Sequence, residues 1–459
     1  MQKYDIIWIG TGQATGTVIP RLVKSGKRVA IVEGGRFGGS CVNYGCTPTK
    51  TMVASARAAH MARRGSDFGV QINGGFTIDF DTIRARMNKI RNASSQGMEA
   101  WLRGMEGVDV YAGYGHFESE HTVRIDDDLI YGETIIIHTG TRSRSAPIPG
   151  IDGVDWLDNV RLLELSELPE HLVIIGGSYI GMEFSQVFRR FGSEVTILQR
   201  SAYLMSREDT DIAQAAMDVL SDEGIRIVTN MTVTKMVQHE PKQIEVFYEV
   251  DGIEYSVTGS HLLMAIGRVA NSDKLNLAAA GVEVNKRGHI LVNDVLQTNV
   301  PHIYALGDVN GRGAFTHTSV NDGETFWDHY SGEGDRNLSE RITTYAMYID
   351  PPLGRVGMSE KQARQSGRNV LMATRKMAHI SRAKEKDETA GLIKILVDAD
   401  SEEFLGAAIL GVGGDEIINV FTPFMYTKQS YKLFRKAVLT HPTVAELLPW
   451  ILDDFAPLQ

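Results

Sequence analysis

A strand–helix–strand pattern with a glycine-rich turn begins the chain and constrains the fold more than any other feature. The apolar run 5–9 leads into Gly10-Thr11-Gly12, a helical stretch follows, and a second strand ends at Glu33. Such glycines let the backbone approach a pyrophosphate at the helix N-terminus, and the acidic residue accepts from a ribose hydroxyl. Thr15 replaces the third glycine of this fingerprint, which serves helix–strand packing rather than phosphate contact.

The same pattern returns in the middle of the chain. An apolar run at 172–175 leads into a second glycine turn, a helix follows to Phe191, and 194–200 is the matching second strand. The residues of this turn that suit a pyrophosphate are Gly176, Ser178 and Gly181. Because the pattern occurs twice, the sequence predicts an α/β fold with two Rossmann-like dinucleotide-binding domains.

The two copies differ where a ribose would bind. The first copy has Glu33, which favours a free 2′-hydroxyl, so we expect FAD or NAD there. The second copy has Gln199 followed by Arg200, with Arg207 close behind. Arginine pairs with a 2′-phosphate, so we expect NADPH there, with NADH as a possible substitute. The alternative for Arg200 is a solvated loop charge without a ligand.

The rest of the chain predicts further elements. Residues 50–103 have a helical composition, and 108–137 and 243–257 alternate polar and apolar residues as antiparallel strands do. After about Arg341, strands and helices continue without a further glycine fingerprint, which indicates a separate C-terminal domain.

The sequence has two cysteines, Cys41 and Cys46, and none elsewhere. Their spacing is neither the usual zinc pattern nor the thioredoxin-type Cys-x-x-Cys, and no further pair completes a metal site, so we expect no metal. A helix N-terminus or a cation such as Lys50 stabilises a thiolate. We therefore predict a redox pair that cycles between disulfide and dithiol beside a flavin.

The charge balance excludes some classes of partner. The net charge is −10, without a block of Lys or Arg, which argues against nucleic acid and against an anionic membrane. No uncharged apolar run is long enough for a membrane span, and the N-terminus does not read as a secretory signal. We expect a cytoplasmic protein that acts on a small molecule.

Together these features resemble the pyridine nucleotide–disulfide oxidoreductases, the flavoprotein family of dihydrolipoamide dehydrogenase, glutathione reductase and mercuric reductase. The resemblance covers essentially the whole chain. The motifs that carry it are the redox loop 41–46, the turn Thr139-Gly140-Thr141, the segment 267–271, the segment 298–308 and the terminal segment 441–446.

The resemblance implies a role for each motif. Cys46 would be the flavin-proximal sulfur and Cys41 the thiol that meets the substrate, while Lys50 and Glu183 would pair near the flavin. Asp308 would contact the FAD ribitol, and the backbone near His116 the adenine. The residues expected to bind FAD and the pyridine nucleotide are Gly10, Gly12, Glu33, Gly39, Ser40, Lys50, His116, Thr139, Gly140, Thr141, Gly176, Ser178, Gly181, Arg200, Arg207, Gly267, Arg268, Gly307 and Asp308.

The resemblance also implies a homodimer with a composite active site. His441, oriented by Glu446, would reach the redox pair of the partner subunit as acid and base. The implied domains are an FAD-binding domain in two parts (1–147 and 271–340), an NAD(P)H-binding domain (148–270) and an α+β dimerisation domain (341–459).

The sequence is compatible with several members of this family. The redox loop is similar to that of mercuric reductases, which resemble one another in a C-terminal cysteine pair that this sequence lacks. Residues 351–360 are most similar to the bacterial reactive-chlorine-resistance flavoenzymes. We expect an NAD(P)H-dependent disulfide reductase of class EC 1.8.1 or 1.16.1, acting on a disulfide, an oxidant or a metal ion. The alternatives are dihydrolipoamide dehydrogenase and a non-catalytic redox sensor or scaffold.

Overall fold

The structure is a computed structural model that describes residues 1–458. The strands, in chain order, are β1 (Gln2–Ile9), β2 (Val29–Glu33), β3 (Val108–Ala112), β4 (Gly115–Ser119), β5 (Thr122–Ile125), β6 (Asp128–Ile137), β7 (Thr141–Ser143), β8 (His171–Ile175), β9 (Glu194–Leu198), β10 (Arg226–Val228), β11 (Met231–Glu240), β12 (Gln243–Val250), β13 (Ile253–Gly259), β14 (His261–Met264), β15 (Arg268–Ala270), β16 (Ile303–Ala305), β17 (Thr344–Met347), β18 (Leu353–Gly357), β19 (Val370–Lys376), β20 (Leu392–Asp398), β21 (Phe404–Leu410) and β22 (Ala456–Pro457).

The α-helices, in chain order, are α1 (Thr15–Lys24), α2 (Gly39–Tyr44), α3 (Cys46–Arg63), α4 (Phe80–Arg103), α5 (Asn159–Leu163), α6 (Tyr179–Phe191), α7 (Thr210–Asp222), α8 (Thr316–Ser331), α9 (Glu360–Gln365), α10 (Ser381–Glu385), α11 (Gly414–Ile417), α12 (Phe421–Tyr426), α13 (Tyr431–Arg435) and α14 (Leu448–Ile451). Short 3-10 helices occupy Gly65–Phe68, Ile151–Gly153, Leu277–Ala280, Gly307–Asn310, Leu338–Glu340, Met377–His379, Ile418–Val420, Ala445–Leu447 and Leu452–Asp454. Within residues 1–458 we find no helix that is both long and apolar enough to cross a membrane.

The chain divides into two compact units. The first unit consists of residues 1–51, 81–144 and 267–341. The second consists of residues 52–80, 145–266 and the chain from 342 onwards. The four domain ranges given above stay a prediction.

The first unit is built on a parallel sheet in the order β3-β2-β1-β6, and β16 pairs in parallel with β6. The first half of β6 also pairs with β5, and β5 with β4, as an antiparallel meander. Ile6, Ile7 and Trp8 are fully buried, as expected for a sheet covered on both faces. Because parallel strands end at one edge, β1, β6 and β16 bring their following turns together there.

The second unit contains three sheets. A parallel sheet in the order β10-β9-β8-β14 carries the second glycine turn, and β11-β12-β13 form an antiparallel sheet. The C-terminal antiparallel sheet has the order β17-β18-β21-β20-β19-β22. Its helices cover a core in which the rings of Phe404, Phe421 and Phe434 lie 5.3–5.7 Å apart. The predicted fold class, with two Rossmann-like sheets and a C-terminal α+β domain, is confirmed.

One expected element is different. The helical stretch predicted for 50–103 is two helices, α3 and α4, separated by residues 64–79. Gly69, Gly74 and Gly75 in this segment have φ between +75° and +83°, which is incompatible with a right-handed helix. Composition alone therefore overestimated the length of the helix.

Candidate active site

The first glycine turn connects β1 to α1 and is shaped by close backbone approaches. A Cβ at Gly39 would lie 2.9 Å from the Cα of Gly12, and a Cβ at Gly12 would overlap the ring of His138. Gly10 has φ +96°, which an L side chain rarely adopts. Only glycines fit here, and α1 begins directly behind the turn. These residues fit a dinucleotide pyrophosphate placed against a helix N-terminus.

Glu33 ends β2 and holds this turn in place. Its Oε2 accepts from the backbone N–H (2.9 Å) and the hydroxyl (2.6 Å) of Thr11, and its Oε1 accepts from the N–H of Gly35 (2.8 Å). Each carboxylate oxygen has lone pairs for a further donor, so Glu33 can still accept from a ribose hydroxyl.

Thr15 explains why the fingerprint departs from glycine at its third position. Its side chain is fully buried, and its hydroxyl accepts a hydrogen bond from the indole N–H of Trp8 at 3.1 Å. A buried indole N–H needs a partner. The threonine therefore packs the helix against the strand and also satisfies Trp8.

His138 is a residue of this site that sequence reasoning missed. It follows β6 and is buried. Its Nδ1 donates to the carbonyl of Leu306 (2.8 Å), and its Nε2 accepts from the N–H of Ala14 (3.3 Å). Burial lowers the pKa of His138, and this outweighs the opposite effects of the Leu306 carbonyl and nearby carboxylates. A single histidine after the apolar run 135–137 was the only sequence signal.

The turn after β6 and the segment after β16 are joined by hydrogen bonds. The hydroxyl of Thr141 donates to Asp308 (2.9 Å), and Arg268 donates from Nε to the same hydroxyl (2.7 Å). β7 and β15 pair antiparallel beside them. The predicted FAD residues 139–141, 268 and 307–308 therefore lie together in the first unit. Gly140, Gly267 and Gly307 all have positive φ, from +65° to +119°.

His116 lies in β4 of the same unit, with Nε2 3.8 Å from the carboxylate of Glu118. Ser40 lies in α2 and is exposed. Their contacts to FAD stay a prediction.

The second glycine turn is built in the same way with different chemistry. The backbone N–H of Gly177 donates to Oε1 of Gln199 (2.9 Å), as that of Thr11 does to Glu33. The amide of Gln199 also donates to the hydroxyl of Ser201 (2.5 Å), which a carboxylate could not do. A Cβ at Gly181 would overlap the carbonyl of Gly176, so this turn also requires glycine.

Arg200 and Arg207 follow β9 on this side of the sheet and are exposed. Ser178 is the N-cap residue of α6 and is exposed too. The second site is therefore neutral at the position of Gln199 and has two accessible guanidinium groups.

The two cysteines lie on consecutive helices. Cys41 is half-buried in α2, and Cys46 is the first residue of α3 and is exposed. Asn43 holds α2 against the segment before it, because its Nδ2 donates to the carbonyls of Phe37 (2.8 Å) and Gly39 (3.0 Å). Both residues are thiols in this structure.

The electrostatics of the pair are asymmetric. Hydrogen bonding to Cys46 and burial raise the pKa of the Cys41 thiol, against weaker opposing effects of Thr316 and Lys50. Cys46 Sγ lies 3.3 Å from the hydroxyl of Thr316 at the start of α8. The N-terminus of an 18-residue helix stabilises negative charge on Cys46. Cys46 is the thiol whose surroundings favour a thiolate.

Lys50 and Glu183 were expected to form an ion pair. Lys50 lies one turn after Cys46 in α3. Glu183 lies in α6, is buried, and accepts from the backbone N–H of Tyr348 at 2.9 Å. Because they belong to different units, their pairing stays a prediction.

His441 and Glu446 form the predicted contact. Nδ1 of His441 lies 2.8 Å and 3.1 Å from the two carboxylate oxygens of Glu446. The side chain of His441 is 77 % exposed, whereas that of Glu446 is 16 % exposed. The carboxylate therefore holds Nδ1, and Nε2 is the nitrogen that can exchange a proton with a substrate. Four apolar side chains of residues 421–451 are also exposed, namely Tyr426, Leu433, Val438 and Trp450.

Comparisons with known proteins agree with this geometry. The family model described as pyridine nucleotide-disulphide oxidoreductase matches residues 4–323, and the model of its dimerisation domain matches residues 343–452. The chain is 37 % identical over 458 residues to the probable pyridine nucleotide-disulfide oxidoreductase RclA of Escherichia coli K12, covering 98 % of both chains. It is 31 % identical to a mercuric reductase of Staphylococcus aureus, covering 91 % of this chain and 76 % of the relative.

The solved structures agree as well. The Cu(II) complex of the HOCl-induced flavoprotein disulfide reductase RclA from Escherichia coli superimposes with a TM-score of 0.88 at 36 % identity, covering 98 % of this chain and 99 % of that one. FAD and NAD(P)H are the cofactors of this family, and the chain has two parallel sheets, each with one glycine turn. The chain belongs to the pyridine nucleotide-disulphide oxidoreductase family.

Proposed function

We propose that the protein is an NADPH-dependent reductase that passes two electrons by way of FAD to a Cys41–Cys46 disulfide and then to a small disulfide, an oxidant or a metal ion. The observation that carries the proposal is the cysteine pair, with Cys46 at the N-terminus of α3 and beside Thr316. With a disulfide substrate the balance is NADPH, one proton and RSSR giving NADP⁺ and two RSH. FAD, when bound, supplies the two-electron exchange between nicotinamide and the cysteines.

The chain's own residues have distinct tasks in this reaction. The His441–Glu446 pair takes the proton of the Cys41 thiol, whose pKa is raised, and the resulting thiolate attacks the substrate disulfide and forms a mixed disulfide. Cys46 then displaces the second thiol and restores the Cys41–Cys46 bond. Each departing thiolate needs a proton, which the His441–Glu446 pair supplies. We assign the two cysteines and His441 to different subunits of a homodimer. The exposed apolar side chains of the same C-terminal region, among them Val438, three residues before His441 and 98 % exposed, support an interface in this region.

The acceptor is a small disulfide, an oxidant related to hypochlorous acid, or a metal ion such as Cu(II). The relative RclA is described as HOCl-induced and as a Cu(II) complex, which favours these classes. The sequence has no third cysteine to deliver Hg(II), so mercury is the weakest candidate. Dihydrolipoamide dehydrogenase activity is disfavoured because Gln199 replaces the carboxylate that suits NADH.

The direct test is an anaerobic titration of the FAD-loaded protein with NADPH, followed by an acceptor screen. We expect NADPH to bleach the flavin absorbance and at least one acceptor among lipoamide, low-molecular-weight disulfides, hypothiocyanous acid and Cu(II) to restore it. Iodoacetamide treatment of the reduced protein is the control, because alkylated cysteines should still permit bleaching but not turnover. A flavin that NADPH does not bleach would instead identify a non-catalytic sensor or scaffold.

NADPH should be preferred over NADH because of the two exposed arginines. An arginine–phosphate contact is worth about 1.5–3 kcal/mol, which corresponds to roughly ten- to a hundredfold in selectivity. Arg200→Glu should therefore weaken or invert the preference measured as the ratio of kcat/KM values. Arg382→Glu, which changes a charge paired with Glu385 far along the chain, is the matched control. Equal use of both nucleotides by the unaltered protein would contradict the assignment.

A further inference from the structure

The segment that carries Arg207 is packed against the second glycine turn. We call residues 200–209 the nucleotide loop. The side chain of Leu204 fills the space that a Cβ at Gly177 would need, and the backbone N–H of Met205 donates to the carbonyl of Gly177 at 2.8 Å. Met205 has φ +49°, a left-handed conformation that a non-glycine residue keeps only when its surroundings enforce it. The nucleotide loop and the glycine turn are therefore packed tightly against each other.

The end of the nucleotide loop is held by the C-terminal sheet. Arg355 of β18 donates from Nε to Glu208 (2.6 Å) and from Nη2 to Asp209 (2.7 Å). The three side chains are 3 %, 0 % and 1 % exposed. Tyr345 of β17 donates its hydroxyl to Glu208 as well, at 2.5 Å. Tyr345 and Arg355 are direct cross-strand partners, so both side chains lie on one face of the sheet.

Further contacts fix the same two carboxylates. The hydroxyl of Tyr179, the first residue of α6 after the glycine turn, lies 3.5 Å from Glu208. Asp209 accepts from the backbone N–H of Glu360 at 2.8 Å. The ammonium group of Lys394 lies 3.6 Å from Asp209, and it also lies 2.7 Å from Asp211 and 2.6 Å from Glu360. Asp209, Asp211 and Glu360 are the one group of three acidic side chains in residues 1–458 that is spaced to hold a metal ion. The ammonium group of Lys394 lies among them.

Stability does not account for this arrangement. Replacing a buried ion pair by apolar side chains of similar volume is often neutral or stabilising, so such pairs are weak evidence for a stabilising role. Buried ion pairs do define geometry, because each charge must keep its partner. Here the ion pairs fix the positions of Glu208 and Asp209, which directly follow Arg207.

We propose that Arg355 and Tyr345 are positioning residues for the pyridine nucleotide. By fixing Glu208 and Asp209, they hold the nucleotide loop so that Arg207 meets the 2′-phosphate, and the C-terminal domain thereby sets the preference for NADPH. The inference rests on the proposed role of Arg207. NADH has no 2′-phosphate, so a displacement of Arg207 should weaken its binding less than that of NADPH.

The test compares Tyr345→Phe and Arg355→Lys with the unaltered FAD-loaded protein. Tyr345→Phe removes one hydrogen bond to a charged group, and we expect the KM for NADPH to rise about fivefold, less than the full effect of such a bond because it reaches the nucleotide only through the loop. Arg355→Lys loses the two-pronged contact, and we expect a rise of about tenfold or more. In both variants kcat and the flavin spectrum should stay unchanged, and the KM for NADH should rise less than that for NADPH.

Arg190→Lys is the matched control. Arg190 is an equally buried arginine of the same unit, 4 % exposed, and it pairs with Glu223 and Asp350. Its substitution should leave the NADPH-to-NADH ratio unchanged. If Arg355→Lys does not fold, the NADPH-to-NADH ratio of Tyr345→Phe alone tests the inference. An unchanged NADPH-to-NADH ratio in folded variants, or an equal rise in KM for both nucleotides, overturns the inference.

The same data separate this inference from the proposed function. If the unaltered protein shows no preference for NADPH, the assignment of Arg200 and Arg207 fails. If Arg200→Glu removes the preference while the Tyr345 and Arg355 variants keep it, the positioning role alone fails.

Discussion

Cys41→Ser and Cys46→Ser should each abolish turnover with a disulfide acceptor, and they should differ in the spectrum of the protein. In Cys41→Ser, Cys46 remains at the N-terminus of α3, where the helix stabilises its thiolate. A thiolate beside an oxidised flavin gives a long-wavelength absorption band. We therefore expect this band in Cys41→Ser without added reductant and its absence in Cys46→Ser, measured by absorbance spectroscopy of the FAD-loaded proteins.

The control for this comparison is flavin reduction itself. NADPH should bleach the flavin in both single variants and in the double variant, because none of them alters either glycine turn. A band in Cys46→Ser and none in Cys41→Ser would reverse the roles of the two sulfurs. Loss of bleaching in all variants would mean that the cysteines support the fold of the FAD site.

His441→Ala should slow substrate turnover by ~10²–10⁴-fold, the range typical of lost general acid–base catalysis. Thiol–disulfide exchange requires a proton for the departing thiolate, whereas hydride transfer to the flavin does not use this imidazole. Stopped-flow reduction by NADPH should therefore stay nearly unchanged while steady-state turnover falls. His379→Ala, at another exposed histidine of the C-terminal domain, is the matched control and should have no effect on either measurement.

Mixing the Cys41→Ser and His441→Ala subunits tests whether the site is composite. In a heterodimer of the two variants, one site has both an intact Cys41 and an intact His441 if these residues come from different subunits. Separately tagged and purified heterodimers should regain activity, up to about half that of the unaltered dimer. Heterodimers that stay inactive would show that His441 acts within its own chain or not at all.

Local features of the site were predictable from the sequence because short segments define them. A glycine turn after an apolar run is defined by the backbone, so Gly10 and Gly176 could be placed without a structure. The contact between His441 and Glu446 spans five residues, and it was predicted through the family resemblance because the spacing alone does not indicate it.

The missed features depend on contacts between distant segments. His138 bonds to Leu306 and Ala14, and Arg355 bonds to Glu208. In sequence, Arg355 is one charged residue in an ordinary strand, and nothing near it indicates a carboxylate partner. Such pairs can be identified only when the three-dimensional packing of these distant segments is known.

The first unit has a further consequence for how the protein is made. It is assembled from three stretches, 1–51, 81–144 and 267–341, and β16 must pair with β6 before Asp308 takes its place. The sheet β10-β9-β8-β14 uses residues 145–266 alone. During translation, the strands of this second sheet have therefore all left the ribosome while the first still lacks β16. A nascent chain can thus complete the strands of its second parallel sheet before those of its first, whereas the contacts that hold the nucleotide loop form only after Tyr345 and Arg355 have been synthesised. The proposed FAD site closes only when most of the polypeptide has been synthesised.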